Sequence, residues 1–289
     1  MRPRASTAAR AFARKSAIDL ATLVGTGRNN RITRADLTRK ATPARTTYHV
    51  ETPHGKIFIR EWPAQGVDKA TALLIHGLFA DSQSFVTLGR KLAAKGFRTL
   101  AIDLPGHGET QSNATTLKDI TAAIAAALPP TKLHIIGHSY GAVIATQLAD
   151  YALSLTLLSP AGTGEEINAD FITAMLVGQI DLALAYLGEK LPPEVKADFA
   201  SHLSINAAQL SSIASAVAEN GKQTVSILFK LACLPIPVTA INTRDDAVIP
   251  AHQGLKLPPN AAARFIPGAS HLPHWRDPDF VVKLVASHS

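Results

Sequence analysis

The sequence predicts an α/β protein: a mainly parallel sheet with helices on both faces, an inserted helical lid, and a small all-α module ahead of it. Three observations carry this expectation. From Tyr48 onward, short apolar runs alternate with segments of helical spacing, the pattern of strands joined by crossover helices. Residues 161–232 break that alternation with helical segments alone, as an insertion between two strands would. The first 40 residues differ in charge from all that follows.

The elements follow in order. Tyr48–Glu51 and Lys56–Trp62, around Pro53-His54-Gly55, read as a hairpin. Thr71–His76, Arg98–Asp103, Leu133–Gly137 and Leu153–Ser159 are apolar runs suited to strands buried on both faces. Ser84–Lys95, Leu117–Leu128 and Tyr140–Asp150 lie between them with helical spacing. Ala169–Leu187 and Pro193–Val217 supply the lid helices. Val238–Thr243 and Arg264–Pro267 resume the strand pattern, with helices near Pro250–Leu257 and Pro278–Ser287. The expected division is a module over 1–40, a linker over 41–47 where Pro43 and the threonines disfavour a helix, and the α/β domain over 48–289.

Composition narrows the functional classes. No window holds the roughly 20 uninterrupted apolar residues of a membrane helix, so no membrane span and a cytoplasmic location are expected. The single cysteine, Cys233, excludes an internal disulfide and suits a reducing compartment; its apolar surroundings suggest a buried thiol. Residues 1–47 carry 11 Lys/Arg against 2 Asp/Glu, a net of +9, whereas the remaining 242 residues carry 18 against 20, a net of −2. A basic leader on a nearly neutral body points to an acidic partner. An Arg-rich, acid-poor start is also what a mitochondrial import signal would show.

The chemistry centres on Gly137-His138-Ser139-Tyr140-Gly141, between an apolar strand and a helix. That is the context of a nucleophile elbow: the serine sits on a strained turn, and flanking glycines supply room for it. A serine hydroxyl needs a base, and the base needs an orienting carboxylate. In this architecture the chain order is serine, acid, histidine. Asp245-Asp246 follows the late strand Val238–Thr243, and Pro267-Gly268-Ala269-Ser270-His271 follows the last strand. Spacing favours Asp246 over Asp245 and His271 over His274. The oxyanion needs two backbone donors; the N–H groups of Leu78, in His76-Gly77-Leu78-Phe79, and of Tyr140 are the candidates. Metal is not expected, because His76, His107 and His138 have no carboxylate or thiol cluster around them in the sequence.

His76-Gly77, Asp103-Leu104-Pro105-Gly106-His107-Gly108, Gly137–Gly141, Asp246–Pro250 and Gly268–His271 stand in the order and spacing of the α/β-hydrolase superfamily. Residues 48–289 resemble that superfamily, which implies an α/β-hydrolase fold and a serine hydrolase or acyltransferase activity. The basic leader has its own pattern. Ala8–Ser16 is helical in composition, Ile18-Asp19-Leu20 and Val24-Gly25-Thr26-Gly27 follow, and Thr33-Arg34-Ala35-Asp36 has capping-box spacing. With Arg10-Ala11-Phe12-Ala13-Arg14-Lys15 and Arg28-Asn29-Asn30-Arg31-Ile32, this stretch resembles the peripheral subunit-binding module of acyltransferase (E2) components. Asn30 stands where that family usually has glycine.

The resemblance implies docking to a dihydrolipoamide dehydrogenase (E3) or decarboxylase (E1) subunit, with Arg10 and Arg31 as the pairing cations. Together the two halves resemble the E2 component of an acetoin dehydrogenase complex. No lipoylation-like Asp-Lys-Ala hairpin and no His-x-x-x-Asp-Gly segment of an ordinary E2 catalytic domain are read here. The implied chemistry is acyl transfer through an acyl-serine, with coenzyme A as a candidate acceptor and no tightly bound cofactor. The alternatives are an esterase, thioesterase or carbon–carbon bond hydrolase with a vestigial docking module, or a non-catalytic scaffold that binds a dehydrogenase subunit.

Overall fold

The computed structural model describes residues 5–10, 27, 31–33, 46–190 and 206–288. The chain forms two compact units, Met1–Ala44 and Arg45–Ser289.

In the first unit, residues 7–10 are helical and Ser6 caps them, its Oγ accepting from Ala9 N at 3.1 Å. Ala5 bridges Ile32 in parallel, and Gly27 bridges Arg31 in antiparallel. Ala9 and Ile32 are buried, while Arg10 and Arg31 are exposed. The predicted Ile18-Asp19-Leu20 pair and the second helix after Thr33 lie outside the described residues.

The second unit is an eight-stranded sheet. Its strands are β1 (Thr46–Thr52), β2 (Gly55–Trp62), β3 (Ala70–Ile75), β4 (Phe97–Ile102), β5 (Leu133–His138), β6 (Ala152–Leu158), β9 (Val238–Thr243) and β10 (Ala261–Ile266). They lie in the order β1-β2-β4-β3-β5-β6-β9-β10. β1 and β2 run antiparallel to their neighbours, and every pairing from β4 to β10 is parallel. β1 begins at Thr46, inside the segment read as a linker. Asp68-Lys69-Ala70 does occur, but it runs directly into β3.

Parallel strands are covered on both faces, and β3 shows how: Leu73 and Ile75 pack into one apolar cluster, Ala72 and Leu74 into the other. The first cluster takes α2 (Leu117–Ala127), through Ile120 and Ile124, and α3 (Tyr140–Gln147), through Val143. The second takes α1 (Val86–Ala94), through Leu88 and Leu92, and the C-terminal helix α8 (Pro278–Ala286), through Val281 and Val285. Each fully buried side chain of this kind contributes about 1.5–3 kcal/mol.

Between β6 and β9 lies the insertion: α4 (Ala169–Leu176), α5 (Ile180–Leu187), α6 (Ala207–Val217), a ribbon of β7 (Ala218–Glu219) and β8 (Lys222–Gln223), and α7 (Leu228–Ala232). The predicted helix Ala169–Leu187 is two helices, parted at Gly178, whose φ of 76° is left-handed. The stretch 193–205 of the predicted Pro193–Val217 lies outside the described residues. The ribbon is unexpected; Asn220 and Gly221 both have positive φ (51° and 72°), as a tight hairpin turn demands.

Three further expectations are corrected. The N-terminal part of Ser84–Lys95 is a 3-10 turn, Ser82–Phe85, capped by Asp81. The segment near Pro250–Leu257 is also a 3-10 turn, Ala251–Lys256. Cys233 is exposed, not buried: it caps the short helix α7, which turns only Leu231 inward, and Pro235 and Pro237 hold the following chain as a surface connector until β9 starts.

Candidate active site

Ser139 stands at the junction of β5 and α3 with φ 51° and ψ −117°, strained for a residue with a side chain. Three main-chain bonds hold it there. Its N–H donates to Leu158 O at 2.9 Å, and its carbonyl accepts from Ala142 N at 3.0 Å and Ala161 N at 3.1 Å. The flanking glycines are required by space. A Cβ on Gly137 would lie 2.3 Å from Gly141 O, and one on Gly141 would lie 2.2 Å from Ile75 O.

Asp246 and His271 come from loops after β9 and after β10. His271 Nδ1 lies 2.8 Å from Asp246 Oδ2 and 3.0 Å from Oδ1. Both side chains are nearly sealed, at 2% and 1% exposure. A carboxylate accepts, so Nδ1 carries the proton and Nε2 is left as the basic nitrogen. Asp246 Oδ1 also accepts from Val248 N at 2.8 Å and Ile249 N at 3.0 Å, which fixes the carboxylate plane. The competing Asp245 is exposed.

Ser139 and His271 line one cavity. The walls are mainly apolar: Ile167, Phe171, Leu187 and Val217 come from the lid, Val248 and Trp275 from the sheet side. The Ser139 hydroxyl makes no hydrogen bond to a described residue. Such nucleophile–base contacts commonly tighten only when substrate binds.

The loop after β3 packs onto the elbow: a Cβ on Gly77 would lie 3.0 Å from Ser139 Cβ. That places Leu78 beside the nucleophile. Phe79 N–H is spent on His107 Nε2 at 3.1 Å, whereas the N–H groups of Leu78 and Tyr140 donate to no described group. His76 and His107 brace this loop. His76 Nδ1 donates to Gly77 O at 2.7 Å and Nε2 accepts from Leu104 N at 2.9 Å, while His107 Nδ1 donates to Pro105 O at 3.0 Å.

Two further histidines, His138 and the competing base candidate His274, stand beside His271. His138 donates from Nε2 to the carbonyl of His271 at 2.8 Å. Burial, and then the neighbouring His271 and His274, hold its pKa well below the ordinary value. His274 is buried with neither ring nitrogen hydrogen-bonded, and burial brings its pKa to about 3. Both rings are therefore neutral near pH 7. The adjacency of His138 to Ser139 is the sequence signal for the first; the second is signalled only as a rival to His271, three residues on.

Among the described residues, no group of three or more His, Cys, Asp or Glu is placed to hold a metal ion, and no helix is long and apolar enough to cross a membrane.

Residues 72–284 match the alpha/beta hydrolase family, and residues 3–38 match the e3 binding domain. A protein of Cupriavidus necator, the dihydrolipoyllysine-residue acetyltransferase component of its acetoin cleaving system, is 25% identical over 243 residues, 78% of this chain and 64% of that protein. The Pseudomonas putida protein of the same description is 27% identical over 237 residues, 73% of this chain and 61% of its own length. The chain thus spans a little under two thirds of these relatives. A carboxylesterase of Bacillus subtilis shares the fold, with a TM-score of 0.69 at 19% identity, over 88% of this chain and 94% of the other.

Proposed function

Because the chain belongs to the alpha/beta hydrolase family, we propose that it transfers acyl groups through Ser139, with His271 as base and Asp246 as the carboxylate that orients the base. The observation that carries this reading is the sealed His271–Asp246 pair, at 2.8 Å, whose histidine lines the cavity that also holds the strained Ser139. In the first step the Ser139 hydroxyl gives its proton to His271 Nε2 while Oγ bonds to the acyl carbon of an ester or thioester. The tetrahedral oxyanion accepts from the N–H groups of Leu78 and Tyr140. The alcohol or thiol leaves with the proton from His271, which leaves an acyl-serine. A thiol acceptor such as coenzyme A, or water, then gives its proton to His271 and takes the acyl group, restoring Ser139.

The curated relatives and the e3 binding domain support a more specific role. The chain is then an acetyltransferase component of an acetoin-cleaving complex. It docks a dihydrolipoamide dehydrogenase or decarboxylase subunit through residues 1–40, with Arg10 and Arg31 facing acidic groups of the partner. The cavity favours a second reading. Its walls are mainly apolar, and among the described residues no Lys or Arg lines it to receive a nucleotide phosphate; both features suit hydrolysis of an apolar acyl ester.

A fluorophosphonate probe tests the chemistry. It labels the wild-type protein and fails to label Ser139→Ala; a folded wild-type protein that resists labelling removes the enzymatic reading in favour of a scaffold. An ester series of rising acyl length, with and without coenzyme A, separates transfer from hydrolysis. Native mass spectrometry with a dihydrolipoamide dehydrogenase tests docking. Arg31→Ala weakens the complex, and equal binding of variant and wild type refutes that assignment.

A further inference from the structure

The peptide of His271 is gripped on both sides. Its N–H donates to Leu187 O at 2.9 Å, at the end of the lid helix α5. Its carbonyl accepts from His138 Nε2 at 2.8 Å, across 133 residues of sequence. The second bond is made by the residue immediately before the nucleophile, so the bend that presents Ser139 also carries the arm that reaches the base.

The surroundings of His138 suit that task, in the wall of the cavity that also holds Ser139 and His271. The ring is buried, with the rings of His271 and His274 each 4.9 Å away between centroids. His76 and the bare backbone of Gly77 are also near, and a Cβ on Gly77 would come within 3.0 Å of His138 Nδ1. Nδ1 has no hydrogen-bond partner. A carbonyl can only accept, so Nε2 carries the proton and the ring makes one bond, to residue 271.

We propose that His138 is a positioning residue: its Nε2–H bond to the His271 carbonyl fixes the base relative to the nucleophile one residue along the chain. This rests on the serine-triad reading above. Thr243 Oγ1 donates to the neighbouring Ser270 carbonyl and Ser270 Oγ accepts from Leu272 N at 3.0 Å, but the His138 bond alone ties the base's own peptide to the nucleophile's turn, and a displacement of about 1 Å at a reacting group can cost on the order of 100-fold in rate. If the ring only filled space, an apolar side chain of like size would serve equally well.

His138→Gln and His138→Met form a matched pair, similar in shape, of which only glutamine keeps a donor. The measurement is the rate of fluorophosphonate labelling at Ser139 in the full chain, read beside the thermal midpoint. The methionine variant is expected to label about 100-fold more slowly than wild type at a similar midpoint, and the glutamine variant to recover to within about tenfold. Labelling of the methionine variant at the wild-type rate overturns the proposal and leaves the triad intact. Equal losses in both variants also overturn it, since the donor would then not matter. Should the methionine variant fail to fold, a folded glutamine variant slower than a tenth of wild type refutes the proposal alone. A wild-type protein that is not labelled refutes the triad reading and this proposal with it.

Discussion

Asp245 and Asp246 are neighbours in sequence, yet one is exposed to water while the side chain of the other is 1% exposed against His271. The difference is made by Val248 and Ile249, whose N–H groups turn back onto Asp246 Oδ1. Asp246→Asn is expected to lower kcat by about 10³–10⁴-fold, because an amide no longer holds the required tautomer of the base. Asp245→Asn should change kcat by no more than about twofold, as exposed substitutions usually do. Acylation kinetics on both variants decide it, and a larger loss at Asp245 would reverse the assignment. That Ser139, Asp246 and His271 come together was legible because each follows a strand, where spacing carries information. The bond from His138 to the His271 carbonyl, and the burial of the rival base His274 without a partner, were not, because they depend on which backbone and which rings meet across more than a hundred residues. Cys233 misled for a similar reason: Leu-Pro-Ile-Pro reads as core by composition, but prolines that cannot donate to a sheet keep it outside.

At the scale of elements, the lid touches both loops that carry the acid and the base. Asn168, which caps α4, donates from N to Val248 O at 2.9 Å and from Nδ2 to Ala247 O at 2.8 Å, beside Asp246. The end of α5 accepts from His271 N. The ribbon β7–β8 adds a third tie: Gln223 accepts from Gly162 N at 2.7 Å and donates to Glu166 O at 2.8 Å and Gln253 Oε1 at 3.0 Å. The lid therefore does more than cover the cavity, since displacing it strains the loops that hold the acid and the base. Gly221→Ala tests the ribbon. Its Cβ would meet only Ala169 Cβ at 3.5 Å, so the cost is that of a left-handed φ, about 1–2 kcal/mol. In a domain of this size that is a fall of about 2–8 °C in Tm, and an unchanged Tm would show that the ribbon contributes nothing to stability. Asn-Gly is the strongest short hairpin signal a sequence offers. It was passed over because two-residue strands present no alternation to read, and the surrounding helices dominated the pattern. The sheet itself was legible almost strand by strand, apart from the start of β10, where three alanines carry no β preference.

The whole molecule concentrates histidine in its interior: among the described residues, His76, His107, His134, His138, His271 and His274 are buried. Burial lowers the pKa of His134, His138 and His274. A histidine held neutral by the fold binds its proton more readily once unfolded, so protonation favours the unfolded chain. The sign is therefore fixed. For His274, with a folded value of about 3 against an ordinary 6.5, the contribution is fully present above pH 6.5 and is lost progressively as pH falls toward 3. From pH 6.5 to pH 5 the loss is about 2 kcal/mol from this one ring, and His138 adds a loss of the same sign. Thermal melts should accordingly show Tm falling as pH is lowered from 7 to 5. His274→Leu removes both the titration and two unpartnered ring nitrogens, so the drop between those pH values should shrink by about 4–8 °C. If the variant and the wild type lose Tm in parallel, the acid sensitivity arises elsewhere, and the neutral histidine cluster around the base is not what ties the stability of the fold to pH.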